Sequence, residues 1–275
     1  MYKAIFIDID GTLVNDNGNI SERTIEAIKK VTEKGILVII CTGRPIKHTV
    51  GISKACKASN YIITSNGGGI YDYEKNEVLY TNKMDKKAII ELYKIAEKVN
   101  ARFIMDSIEN RVVNKLKNLD GSEIQLKISI EEFVNKNDII QCVISDTDFD
   151  KMKSIKEQIE KVENVEIKNQ HKNLIDETAP RKGSAYYDVA SIESNKGNAI
   201  KEFCKIKNID LKDVVAIGDS INDISMFEVV GHSVVMGNAN DKVKEYADEI
   251  TESNENDGVA VFLEKLLKKY KKNSV

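Results

Sequence analysis

The stretch Ala4-Ile5-Phe6-Ile7-Asp8-Ile9-Asp10-Gly11-Thr12-Leu13 constrains this chain more than any other. Four apolar residues in a row, without polar alternation, are the pattern of a strand covered on both faces, as in a parallel sheet. The run ends abruptly in two carboxylates. In an extended segment the side chains at i and i+2 point to the same side, which predicts that Asp8 and Asp10 face one space. Gly11 lets the chain turn, and Thr12 adds a hydroxyl at the same strand end. Open α/β sheets bind ligands at the carboxyl ends of their strands. Two close carboxylates repel unless a cation or a proton lies between them. One reading is a Mg²⁺ site in which a carboxylate also attacks phosphorus. The other is an exposed strand-to-turn junction, where Asp and Gly are common.

The chain after this strand decides between them. Ser21 is a good N-cap for a helix over residues 21–34, with Ile25, Ile28 and Val31 at helical spacing and Gly35 just past its end. A β-rich run over residues 36–40 ends at Thr42-Gly43-Arg44-Pro45, and Pro45 suits the first turn of a further helix. A third strand, residues 61–64, ends at Ser65, Asn66 and three glycines. Strand, helix, strand, helix, strand is the doubly wound order. A β-hairpin over residues 71–81 interrupts it. Helices from about Asp85 and over residues 150–162 then alternate with strand candidates at 102–105, 139–145 and 165–168. No strand end there resembles the first one, which predicts a separate α/β domain inserted over residues 83–187. The doubly wound pattern resumes with a helix capped by Asn195 and opening on Lys196-Gly197. A strand over residues 214–217 ends at Gly218-Asp219-Ser220-Ile221-Asn222-Asp223. A strand at 234–236 and a helix carrying Phe262, Leu263 and Leu266 close the chain. The fold class is α/β, a Rossmann-like core from residues 1–82 and 188–275 with the smaller domain between them.

Composition narrows the function classes. Forty-one basic against 44 acidic residues leave a net charge of −3, an argument against nucleic acid as the main partner. The basic last turn, with Lys268, Lys269, Lys271 and Lys272, complements a helix dipole. The longest apolar run, residues 36–41, is too short to cross a bilayer. Cys41, Cys56, Cys142 and Cys204 form no Cys-x-x-Cys pair and read as reduced, mostly buried thiols. A cytoplasmic protein with no membrane or nucleic-acid partner is expected. Oligomeric state is not legible. His48, His171 and His232 lack ligand spacing and read as structural.

Four clusters fall at strand ends or helix starts: Asp8-x-Asp10-Gly11-Thr12, Thr42-Gly43-Arg44, Lys196-Gly197 and Gly218-Asp219-x-x-Asn222-Asp223. In this order and spacing they resemble the haloacid dehalogenase superfamily of phosphohydrolases. The inserted domain resembles the type IIB cap of its Cof-type branch. The resemblance covers essentially the whole chain and implies a phosphatase of small phosphorylated metabolites. It implies Mg²⁺ held by Asp8, the backbone carbonyl of Asp10, and Asp219. Asp8 is then the nucleophile that forms an aspartyl-phosphate, and Asp10 the acid and base. Ile9, Thr42, Gly43, Lys196 and Asn222 bind substrate phosphate, and Asp223 orients the loop or a metal-bound water. The stretch before Lys196 lacks the glycine or proline of many relatives, and Lys182-Gly183 is a rival pair; Lys196 is preferred because it opens an apolar-periodic helix.

Asn66 resembles an Asn-Gly segment near the family's site, with Gly68 replacing the usual alanine, and is a supporting residue at most. Arg44 is open to substrate, to the cap or to a salt bridge with a neighbouring helix. Arg111, Lys127 and Arg181 are charges available in the cap. Sugar phosphates, nucleotides, flavin mononucleotide and pyridoxal phosphate all stay open as substrates. The rival readings are a sugar phosphomutase and a non-hydrolytic phospho-acceptor or ligand-binding module.

Overall fold

The computed structural model describes residues 2–116, 123–172 and 185–272. The chain divides into two compact units, one of Met1–Tyr80 with Asn195–Val275 and one of Thr81–Ser194. The first unit opens with β1 (Ala4–Ile7), α1 (Glu22–Thr32), β2 (Leu37–Cys41), α2 (Ile46–Ala55), β3 (Tyr61–Thr64), β4 (Gly69–Asp72) and β5 (Glu77–Thr81). The second unit follows with α3 (Lys86–Lys98), β6 (Arg102–Asp106), β7 (Arg111–Val113), β8 (Ile124–Gln125) and α4 (Ile130–Lys136). It ends with β9 (Gln141–Asp146), α5 (Phe149–Ile159), β10 (Val165–Lys172) and β11 (Ala185–Ser191). The return to the first unit brings α6 (Lys196–Lys207), β12 (Val214–Gly218), α7 (Ile224–Phe227), β13 (His232–Val235), α8 (Asp241–Lys244), β14 (Glu249–Ile250) and α9 (Gly258–Lys272). The return boundary falls at Ser194 and not at 187, because β11 runs on to Ser191 as a strand of the second sheet.

The first sheet has the order β14-β13-β12-β1-β2-β3-β4-β5. Its centre is parallel: Ile5 lies opposite Val215 on one side and Val38 on the other. The apolar run of β1 serves both faces through its two-residue period. Ile5 and Ile7 join Ile28 and Val31 of α1 and Leu263 of α9 in one buried cluster. Ala4 and Phe6 join Ile200 and Phe203 of α6 and Met226 of α7 in another. Phe6 meets Phe203 edge-on with ring centroids 5.5 Å apart. Each fully buried side chain of this kind contributes about 1.5–3 kcal/mol.

Local signals place the helices. The Ser21 side chain accepts from the Thr24 N–H at 3.1 Å, and Thr24, Ala27, Ile28 and Val31 form the buried stripe of α1. Asn195 accepts from the Asn198 N–H at 2.8 Å and starts α6 at Lys196. Pro45 stands one residue before α2 with ψ at 161°, an N-cap and not a first-turn residue. Because β12, β1, β2 and β3 run in parallel as neighbours, their next residues, Asp219, Asp8, Thr42 and Ser65, lie along one sheet edge.

The second unit carries a six-stranded sheet of order β10-β11-β9-β6-β7-β8, antiparallel except between β7 and β8. Leu92 of α3, Phe103 and Met105 of β6, Ile144 of β9 and Ile155 of α5 share its core. Its strands β6 and β9 do end in carboxylates, Asp106 and Asp146, but each has its own cation. Arg111 grips Asp106 through two hydrogen bonds of 2.7 and 2.8 Å, and Lys151 reaches Asp146 at 2.9 Å. Lys127 lies in the described part of this unit, whereas Arg181, Lys182 and Gly183 lie outside the described residues.

Candidate active site

The ends of β1 and β12 and the start of α6 converge on one ammonium group. Lys196 is wholly buried, and its Nζ donates to Asp8 Oδ1 at 2.5 Å and to Asp223 Oδ1 at 2.6 Å. The other oxygen of Asp223 accepts from the backbone N–H of Asp219 at 3.0 Å and of Ser220 at 2.9 Å. One buried carboxylate thus fixes both the lysine and the turn after β12. Asp219 accepts from the Thr12 hydroxyl at 2.7 Å, tying that turn back to the turn after β1. Gly11 has to be glycine: its φ is +78°, and a Cβ there would stand 2.4 Å from Asp219 Oδ2.

The charges are unbalanced. Asp8, Asp219 and Asp223 each bring an oxygen within 4.8 Å of the others, the one such group among the described residues. With all three carboxylates ionised, one ammonium leaves two negative charges uncompensated. Burial pushes the Asp8 carboxyl up to about 8, Lys196 opposes the rise, and Asp223 adds to it. Asp219 rises to about 6, mainly through burial, against the hydrogen bond from Thr12. Burial alone would lower Lys196, but Asp223 and Asp8 outweigh it and keep the ammonium charged. A donor set of hard carboxylate oxygens with an excess of two negative charges fits one Mg²⁺ ion.

Asp10 departs from the expectation. The i, i+2 argument needs an extended chain, and β1 stops at Ile7. The Ile9 carbonyl accepts from the N–H groups of Thr12, Leu13 and Val14, so the chain coils at once. Asp8 is therefore 4% exposed, whereas the Asp10 side chain is 60% exposed and ion-paired with Arg44. Arg44 Nε donates to Asp10 Oδ2 at 2.9 Å and Nη2 to Oδ1 at 2.5 Å. The partner of Arg44 is thus Asp10 itself and not a neighbouring helix.

The remaining expected residues gather at the same edge. Thr42 is buried just after β2, and its hydroxyl accepts from the Arg44 N–H at 3.2 Å, with Gly43 between them. Asn222 donates from Nδ2 to Asn66 Oδ1 at 3.1 Å and accepts from the Ser220 hydroxyl at 2.6 Å. Ile9 is fully buried behind Asp8 in the core cluster. Ser220 and Thr12 had been given no partner from the sequence. Ser220 was findable, since Ser-x-x-Asp over 220–223 is the capping-box spacing and the box is formed. His232 stacks between Tyr2 and Phe262, away from this cluster.

The sequence profile of the haloacid dehalogenase-like hydrolases matches residues 5–263, and the chain belongs to that family. The 5-amino-6-(5-phospho-D-ribitylamino)uracil phosphatase YwtE of Bacillus subtilis (strain 168) is 30% identical over 296 residues, covering 96% of this chain and 98% of its own. A second such phosphatase of that strain, YcsE, is 31% identical over 262 residues, covering 94% and 93%. Among solved structures, the HAD subclass IIB sugar phosphatase BT4131 superposes with a TM-score of 0.73 at 27% identity, covering 98% of both chains. The chain is a phosphatase of phosphorylated substrates. No helix among the described residues is long and apolar enough to cross a membrane.

Proposed function

We propose that this protein is a Mg²⁺-dependent phosphatase of small phosphorylated metabolites that works through an aspartyl-phosphate on Asp8. The observation that carries this reading is the buried Lys196 shared by Asp8 and Asp223 beside Asp219, at the carboxyl edge of a parallel sheet. A phosphomonoester is an anion and resists attack by another anion unless the site neutralises it. Asp8, Asp219 and the Asp10 carbonyl would hold the metal, with Asp223 in the same carboxylate group, and the ion would supply positive charge to offset the charge of the phosphoryl group.

The protein groups do the rest. Lys196 holds Asp8 by one oxygen and fixes its carboxylate against rotation. An Asp8 oxygen forms a bond to phosphorus as the bond from phosphorus to the leaving oxygen breaks. Asp10 gives that oxygen its proton, which requires the pair with Arg44 to open. Asp10 then takes a proton from the water that attacks phosphorus, and phosphate leaves with Asp8 restored. The Thr42 hydroxyl, the N–H groups of Ile9 and Gly43, the Asn222 amide and the third N–H of the Lys196 ammonium bind phosphoryl oxygens. The second unit, inserted between the parts of the first, acts as a cap that selects the leaving group.

Phosphorylated ribitylaminouracil is one substrate to include, since two relatives at 30 and 31% identity are named for it. Sugar phosphates, nucleotides, flavin mononucleotide and pyridoxal phosphate complete the panel. Four free, buried cysteines support a reducing, cytoplasmic setting. The test is inorganic phosphate release across the panel with Mg²⁺, beside a chelator control and the Asp8→Asn protein. Release that vanishes in both controls supports the reading. Undiminished release in either one overturns it.

A further inference from the structure

We propose that Asn66 is itself a ligand of the substrate, donating a hydrogen bond from its side-chain amide to a phosphoryl oxygen. The inference rests on the reading that the Asp8 cluster receives that group. Asn66 is 2% exposed, yet its Nδ2 has no hydrogen-bond partner among the described residues. Buried amide donors are nearly always satisfied, so one left open in a site signals an acceptor that arrives with the ligand. The amide is not loose. Its Oδ1 accepts from Asn222 Nδ2, and Asn222 is held in turn by the Ser220 hydroxyl. With the carbonyl end engaged, the amino end of Asn66 is the end on offer.

The backbone has been bent to put it there. Ser65, Asn66 and Gly67 have φ of 51°, 53° and 90°, three successive residues in the left-handed region, two of them not glycine. Such strain persists where surrounding contacts over-determine it, and it gathers at functional sites. The contacts are visible. The Asn66 N–H donates to the Thr42 carbonyl at 3.1 Å, and the Ser65 N–H donates to the Arg44 carbonyl at 3.1 Å. On the other side, a Cβ on Gly67 would stand 2.2 Å from the Asn195 carbonyl oxygen, so the turn presses directly on the start of α6. The turn therefore touches all three segments that carry the phosphate-binding groups: Thr42, Lys196 and Asn222. A left-handed asparagine is ordinary in a structural turn, but a buried amide donor left without a partner is not. A further donor converging on the phosphoryl group accounts for the open amide.

The experiment uses the intact protein with p-nitrophenyl phosphate as substrate and inorganic phosphate as competitive inhibitor. Asn66→Gly suits the left-handed backbone and removes only the amide. The expected result is an inhibition constant for phosphate raised roughly 10- to 100-fold, the scale of a lost hydrogen bond to a charged group, with an unchanged Tm. Asn66→Asp also tolerates this backbone and keeps an acceptor for Asn222 but lacks the donor; it should weaken phosphate at least as much. The same Asn66→Gly change is then made in an Asn222→Ala protein. Direct donation predicts that the weakening persists there, whereas an effect that disappears assigns Asn66 to holding Asn222 and overturns the proposal. Unchanged phosphate affinity in the folded single variants overturns it as well, while leaving the phosphatase reading intact. A wild-type protein that neither binds phosphate nor hydrolyses the ester overturns both.

Discussion

Lys196 is the residue on which the site's electrostatics turn. A wholly buried ammonium is tolerable here because two carboxylates, at 2.5 and 2.6 Å, share it. Lys196→Met removes the charge while keeping most of the volume, and leaves Asp8 and Asp223 buried without a counter-ion. Urea unfolding in the presence of a chelator should show a loss of about 3–5 kcal/mol, the usual scale for breaking a buried pair from one side. Wild-type stability would contradict the account. Asp10→Asn should slow phosphate release by roughly 10²–10⁴-fold, the range of a positioned acid or base. At this scale the gathering of Asp8, Asp219, Asp223 and Lys196 was legible, because strand ends and helix starts convert directly into position along a sheet edge. The pairing of Asp10 with Arg44 was not, since it depends on where β1 stops extending. The open donor of Asn66 was not legible either, since it depends on how the turn after β3 packs.

At the scale of elements, the turn after β3 and the start of α6 are packed as one unit. Gly67→Ala places a methyl group against the Asn195 carbonyl and in a strained φ. Displacement of the α6 start should cost roughly 1–3 kcal/mol, the range for overpacking, and should lower kcat through the shifted Lys196. A Tm and kcat equal to wild type would show that the turn does not support the helix. Far from the site, β13 and β14 are joined by Asp248, whose Oδ2 accepts from the Ser233 N–H at 2.8 Å and hydroxyl at 3.0 Å. The Ser233 N–H holds the Asp248 carboxyl below the usual range; burial opposes this, and the hydroxyl and His232 assist. A lowered folded value stabilises above the unfolded value, about 3.9, and the benefit is lost as pH falls through the folded one. The Tm deficit of Asp248→Ala should therefore be present at pH 7 and shrink below about pH 4. A deficit constant with pH would contradict this assignment. The long elements of the first unit were legible because apolar stripes and caps agree, as at Ser21 and Asn195. In the second unit β7, β8 and α4 were missed, being two to seven residues long and too short to show a period. The seven-residue β11 escaped because Tyr-Tyr-Asp does not alternate cleanly between apolar and polar positions.

At the scale of the whole molecule, the chain folds as two units with separate cores. Phe203 is buried in the first and Phe103 in the second. Each changed to Ala should cost about 3–5 kcal/mol, and the loss should fall on its own unit in hydrogen exchange. Equal loss of protection in both units after either change would show that they unfold as one. The central claim, that Asp8 accepts the phosphoryl group, is tested most directly by acid quench after mixing the enzyme and Mg²⁺ with a substrate labelled in its phosphoryl group. The account predicts label on the peptide that contains Asp8, and neither label nor phosphate release in Asp8→Asn. Phosphate released by Asp8→Asn at the wild-type rate, with no label on protein, would contradict it.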